Sequence, residues 1–181
     1  VTQAALKAGL PVVPVQRAEA KLWQVQVLHG TGQDELASKL LGEMAAAFDQ
    51  PTLEQLLGPG GFGYLQAQIT LRGGDIYQGV TIAQQAIPRL PKEVARSLQN
   101  AMAFAFTTKA IELANRAEYD RANSLLRSAT QHTPGGPPIN TARALYNLGV
   151  LQILRSHPED GRVFLSKLDS QMFPEAQLGM G

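Results

Sequence analysis

Three glycines in the stretch LGPGGFGYLQAQ, residues 57–68, stand at the spacing G-x-G-x-x-G: Gly58, Gly60 and Gly63. When such a loop follows a strand, its backbone and the helix N-terminus after it wrap a dinucleotide pyrophosphate. The neighbouring residues do not suit that chemistry. The preceding PTLEQL has the pattern of a helix. Pro59 has no N–H to offer a phosphate. The acid that should hold a ribose about 20 residues on would fall in VTIAQQAI, residues 80–87, which contains none. The glycines read instead as a connector between helices.

Other reactive residues are few. His29, His132 and His157 each fall near an expected helix end, and no H-E-x-x-H pair is present. Asp34/Glu35 and Glu159/Asp160 are adjacent acids placed to begin helices, where the dipole favours negative charge. No G-x-S-x-G elbow or Walker-type lysine occurs, and cysteine is absent, which removes disulfides, thiolate metal sites and thiol nucleophiles. No catalytic residue, cofactor or metal ligand is expected, and the chain reads as non-enzymatic.

The balance of charge is near neutral, 16 Lys/Arg against 15 Asp/Glu, with 17 glutamines carrying much of the polarity. Residues 89–167 hold 11 Lys/Arg and 6 Asp/Glu, a local net of +5. That segment could favour an acidic ligand. Apolar residues at 44% argue for a packed core. No apolar run reaches the roughly 18 residues of a membrane span. The chain starts at Val1, so the compartment stays open between the cytoplasm and a processed exported form.

The hydrophobic periodicity predicts helices almost throughout. Residues 1–17 read as a short helix and an extended stretch, because Pro11 and Pro14 oppose helix. LWQVQVL, residues 22–28, alternates like a strand but also fits a helix through Ala18, Leu22, Val25 and Leu28, which its surroundings favour. Thr31 and Asp34 resemble a capping box opening a helix to about Phe48. Asp75 can cap the helix from Ile76. A long helix follows Pro91, another spans 118–131, TPGGPPIN (133–140) is a linker, and two helices follow over 141–155 and 159–168. Trp23, Phe104, Phe106, Tyr119, Tyr146 and Phe164 are expected to lie mainly in the core.

Small residues recur in register. Ala67, Gly74, Gly79 and Ala86 match Ala110, Ala117, Ala122 and Ala129, with Pro91 and Pro134 after them. Gly149, Ser156, Gly161 and Leu168 form a third set, and Val25, Gly32, Ala37 and Met44 a weaker one. The small residue of the second helix therefore falls at Ala37, Gly79, Ala122 and Gly161, in steps of 42, 43 and 39 residues. Small residues let two helices approach, and the Gly or Ala between them closes the turn. One hairpin cannot bury both faces, whereas stacked hairpins can.

These residues resemble the tetratricopeptide repeat, a helical hairpin of about 34 residues. Residues 60–91 and 103–134 match its pattern, the latter with Ala110, Tyr119, Ala122, Ala129 and Pro134, and ALYNLGVL resembles the opening of its first helix. The chain departs from the pattern in its longer period, in Phe106 where Trp is usual, and in Met44 and Leu168 where Ala is usual. The resemblance implies an all-α, right-handed superhelix, a TPR-like solenoid of three to four helical hairpins over 18–170, between an extension at 1–17 and a tail at 171–181. It also implies a protein-interaction module that takes a peptide or partner helix in a concave groove lined by the first helix of each hairpin. In this register the groove positions are Tyr64, Gln68, Arg72, Thr107, Ile111, Asn115, Arg143, Tyr146, Asn147 and Val150. Arg143 and Asn147, four apart on one face, could hold a carboxylate or a peptide backbone. The alternative is a helical regulatory domain binding nucleic acid or a small ligand through the basic 89–167 segment.

Overall fold

A computed structural model describes residues 14–131 and 139–168, with side chains over 16–131 and 142–168. Every regular element among the described residues is helical. The chain divides into two compact units, Val1–Leu98 and Gln99–Gly181, and the boundary lies within one long helix.

The first unit holds α1 (Pro14–Gly30), α2 (Asp34–Ala47), α3 (Gln50–Leu57), α4 (Gly61–Arg72) and α5 (Ile76–Ala86), followed by a 3₁₀ turn at Ile87–Arg89. LWQVQVL is helical, inside α1, with Ala18, Leu22 and Val25 buried as its i, i+4, i+7 stripe requires. Residues 14–17 correct the expectation of extended backbone. Pro14 is the first residue of α1, a position where its missing N–H is not needed. α1 packs on α2 and α3, α2 on α4, and α4 on α5. Val25, Ala37, Leu41, Met44 and Ile69 are the least exposed members of the core these contacts enclose.

The second unit carries most of α6 (Lys92–Asn115), then α7 (Tyr119–Gln131), α8 (Ile139–Leu154) and α9 (Pro158–Leu165). α8 packs against both α7 and α9. Leu148 and Leu165 are nearly fully enclosed there, and so are Ala122 and Ala129 of α7. The linker at 133–140 lies outside the described residues apart from its last two positions, which begin α8; the extension before residue 14 and the tail at 171–181 also lie outside.

Four links have one design. Residues 31–33, 73–75, 116–118 and 155–157 each join a helix to the next. The middle residue of each is left-handed: Gly32 (φ 78°), Gly74 (φ 94°), Ala117 (φ 61°) and Ser156 (φ 64°). These are the four residues that the small-residue register places at the turn. At three of the links the same hydrogen bonds close the helix. The Gly32, Ala117 and Ser156 N–H groups donate to the carbonyls of His29, Ala114 and Ile153 at 2.9–3.1 Å. The next residues, Gln33, Glu118 and His157, donate to Leu28, Leu113 and Gln152 at 2.8–2.9 Å. This is the Schellman arrangement, which satisfies carbonyls a helix end would otherwise expose.

Helix contacts then demand small residues. A Cβ on Gly79 would lie 2.7 Å from Leu71 Cγ and 3.0 Å from the Leu71 nitrogen. A Cβ on Gly149 would lie 2.6 Å from Leu165 Cγ, and one on Gly161 would lie 2.7 Å from Ile153 Cγ1 and 2.8 Å from the Gly149 oxygen.

The capping box at Thr31 does not form. The Thr31 hydroxyl donates backward to the Val27 and Leu28 carbonyls at 2.9 and 3.1 Å, so it closes α1 rather than opening α2. Asp49 and Asp75 do cap helices, accepting from the N–H of Thr52 at 3.0 Å and of Gln78 at 3.1 Å. The aromatic assignment also needs correcting. Phe106 is buried, but Trp23 is 63% exposed, Phe104 52% and Tyr119 38%. Phe104 and Phe106 are two positions apart, about 200° around one helix, so one face cannot hold both.

Two stability tests follow from the links. Ala117 occupies a conformation that costs a non-glycine residue about 1–2 kcal/mol, of which glycine's greater unfolded freedom takes back part. Ala117→Gly is therefore expected to raise the unfolding free energy by about 0.5–1 kcal/mol in a urea titration. Gly79→Leu and Ala122→Leu overpack their contacts and are expected to lower it by about 1–3 kcal/mol. Parental melting of both overpacked variants would show that these contacts do not hold the helices.

Candidate functional site

The glycine-rich stretch resolves first. The residues before it form α3, a helix where a dinucleotide loop needs a strand. Gly58 and Gly60 take positive φ, 74° and 75°, and turn the chain from α3 into α4. A Cβ on Gly63 would lie 3.0 Å from Ala86 Cβ, and one on Gly60 would lie 3.1 Å from the Ala86 oxygen. The glycines thus seat the start of α4 against the end of α5. A recess of about 200 Å³ lies beside them, lined by Phe62, Ile82, Gln50, Gln66, Gln85 and Arg89. Arg89 pairs there with Glu54, which also accepts from Gln50 at 2.7 Å. These bonds, the Gln50 amide first and Arg89 next, lower the pKa of the Glu54 carboxyl.

Of the ten groove positions, three lie in the first unit. Tyr64 and Gln68 face the same side of α4, and the Gln68 amide donates to the Tyr64 hydroxyl at 2.8 Å. Arg72 is held by the fold. Its Nε lies 2.8 Å from Asp34 Oδ2, and its terminal nitrogen donates to the His29 carbonyl at 2.8 Å. His29 Nδ1 lies 2.6 Å from Asp34 Oδ1, and since a carboxylate only accepts, that nitrogen carries the hydrogen. The Asp34 side chain is 11% exposed. Arg72 therefore ties the end of α4 to both sides of the α1–α2 turn.

Seven positions lie in the second unit, and the structure gathers four of them around one recess of about 260 Å³: Thr107 and Ile111 of α6 with Arg143 and Asn147 of α8. Phe104 and Thr108 complete the lining. Tyr146 and Val150 are half-buried, and Asn115 is exposed. None of these three lines the recess. The two added residues share the face already identified, since Phe104, Thr107, Thr108 and Ile111 are spaced i, i+3, i+4, i+7. That spacing was the available signal for Phe104.

Part of the hydrogen-bonding capacity of the recess is used within the fold. Thr107 is 6% exposed and its hydroxyl donates to the Ala103 carbonyl at 2.8 Å. The Asn147 amide donates to the Arg143 carbonyl at 2.8 Å, so one of its hydrogens serves its own helix. Phe104 at 52% and Ile111 at 43% leave apolar surface in water. Arg143 is exposed and makes no ion pair among the described residues.

Six other cations of this unit are engaged. Lys109, Arg121, Arg155 and Arg162 pair with Glu112, Glu118, Asp120 and Glu159. Arg127 and Lys167 both stand over the Phe164 ring, at 5.5 and 5.6 Å from its centre. Among the described residues no group of three or more His, Asp or Glu side chains could hold a metal, and no helix is long and apolar enough to cross a membrane.

The two arginines assigned to the groove should separate in experiment. Arg72→Met leaves the nearly enclosed Asp34 carboxylate without its strongest partner, and is expected to lower the unfolding free energy by about 1–2 kcal/mol. Arg143→Ala removes an exposed group that has no ion pair among the described residues, and is expected to stay within about 0.5 kcal/mol of the parent. Equal losses in a urea titration would overturn this assignment. No protein-family model matches the chain, no curated protein matches it, and no solved structure matches it.

Proposed function

We propose that the chain is a non-catalytic protein-interaction module: a tetratricopeptide-like right-handed solenoid of three to four helical hairpins that receives a peptide or partner helix in a groove lined by its first helices. The observation that carries this reading is the recess shared by α6 and α8. There, two helices that open successive hairpins in the register present Phe104, Thr107, Ile111, Arg143 and Asn147 to one depression. Grooves that take peptides combine apolar anchoring surface with a few polar groups in this way. The four matching links support the repeat character of the reading, since a repeated turn is what a stacked array of hairpins requires.

The rival reading, nucleic acid or a small ligand on the basic segment, has weaker support. Phosphate binding draws on many unpaired cations along a surface, and four of the basic residues in the second unit already have carboxylate partners.

The test begins with affinity capture from native extract. The identified partner is then purified and its Kd measured against the parent and against Arg143→Ala with Asn147→Ala. The expected result is binding at least tenfold weaker, with the melting temperature nearly unchanged. Unchanged affinity would remove this groove as the main contact. Salt-sensitive binding to random DNA or RNA, with no protein partner, would favour the rival.

A further inference from the structure

Resting on that reading, we propose that the recess between α6 and α8 takes one apolar side chain of the partner peptide, with a carboxylate beside that side chain held by Arg143.

The apolar half of the inference comes from what the lining cannot do. The Thr107 hydroxyl is bonded to Ala103, and the Asn147 amide is partly used on Arg143. From α6 the recess is lined by the exposed apolar side chains of Phe104 and Ile111, with Thr107 and Thr108 between them. A polar group set against Phe104 and Ile111 would lose water and gain no hydrogen bond from them. An apolar group would lose water and cover surface that is now wet, at roughly 25 cal/mol per Å². The volume sets the size of the occupant. About 260 Å³ is below the usual range of about 300–1,000 Å³ for drug-sized ligands, and suits a single branched or aromatic side chain.

The acidic half comes from charge. Arg143 is the single formal charge in the lining, and among the described residues no carboxylate pairs with it. It sits one helical turn from Asn147 on α8, at the side of the recess opposite the α6 stripe. A guanidinium offers two parallel donors to a carboxylate, and a lysine or arginine in the ligand would meet it with repulsion. An apolar residue with an adjacent acid matches both features, and a basic peptide matches neither.

The probe is 4-methylpentanoate, a 3-methylbutyl group carrying a carboxylate. 4-Methylpentanamide, of nearly the same shape but uncharged, is the control. Each is titrated into the full chain while the Ile111 δ1 and Thr107 γ2 methyl signals are followed by NMR. The acid is expected to shift both methyls in a saturable way, with an apparent Kd about tenfold lower than the amide. Arg143→Gln should make the acid and amide equivalent while Ile111 and Thr107 still respond. Phe104→Ser, at an exposed position, should weaken both ligands severalfold and keep what preference remains for the acid.

Equal responses to acid and amide in the parent would overturn the proposal, and so would saturable shifts confined to other methyls or no shift at all. The groove reading fails separately. If the probes behave as expected but the purified partner ignores Arg143→Ala with Asn147→Ala, the recess chemistry stands and the groove is not the partner's main contact. If the partner is sensitive and the acid gains nothing over the amide, the groove stands and the acidic specificity is wrong.

Discussion

The shortness of the helix-to-helix links constrains almost everything else in the two units. Three residues reverse the chain only if one of them turns left-handed, and the middle residue does so in four of the five three-residue links among the described residues. The strain at Ala117 and Ser156 persists because each turn also satisfies two helix carbonyls that would otherwise face water. A short link leaves no slack between the helices it joins. Their backbones meet closely a turn or two away, which is why Gly79 faces Leu71 and Gly149 faces Gly161 with no room for a Cβ. The turn and the small residues are thus two consequences of one geometric demand.

That coupling explains what could be read from the sequence. A repeated demand leaves a repeated mark. The register of Ala67, Gly74, Gly79 and Ala86 foretold a turn at Gly74, and its copies foretold turns at Gly32, Ala117 and Ser156. The start of α5 was legible because Asp75 caps it as its type suggests, whereas the cap at Asp49 was not read from the sequence. The failures share a cause as well. Thr31 has the right type for a cap, but its hydroxyl reaches the end of α1 before the start of α2. Trp23 and Phe104 are large and apolar, and the helical reading gives each an apolar face and so a place inside. Each stands off its helix's buried stripe, beside Leu22 and two positions from Phe106. Periodicity shows that a helix has an apolar stripe; it does not show what an apolar residue off that stripe is for.

The candidate site was legible in outline for the same reason. Helix-face spacing put Thr107 and Ile111 on one side of α6, and Arg143 and Asn147 on one side of α8, and the recess contains all four. Spacing could not tell Arg72 from Arg143, since both are arginines assigned to the groove. The difference lies in who reaches them. Asp34 and the His29 carbonyl come from a turn distant in sequence and engage Arg72 from two sides. Contacts of that kind depend on packing across hairpins, which no local pattern records.

The polar groups of the second unit divide on the same principle. Gln152 is 4% exposed and would be costly unpaired, and its amide donates to Asn123 at 2.9 Å, across the contact of α8 with α7. Arg155, three residues further on, reaches Asp120 of α7 at 2.6 Å. One bond joins α8 to α7 and the other joins the link at the end of α8 to α7, so together they help set how α8 sits on α7, and with it the orientation of the α8 face that bears Arg143 and Asn147. Stability requires that buried and near-buried polar groups find partners within the fold. Arg143 is exempt because it stands in water. It can remain unpaired at little cost to folding, and its charge therefore stays available to a ligand that reaches the recess.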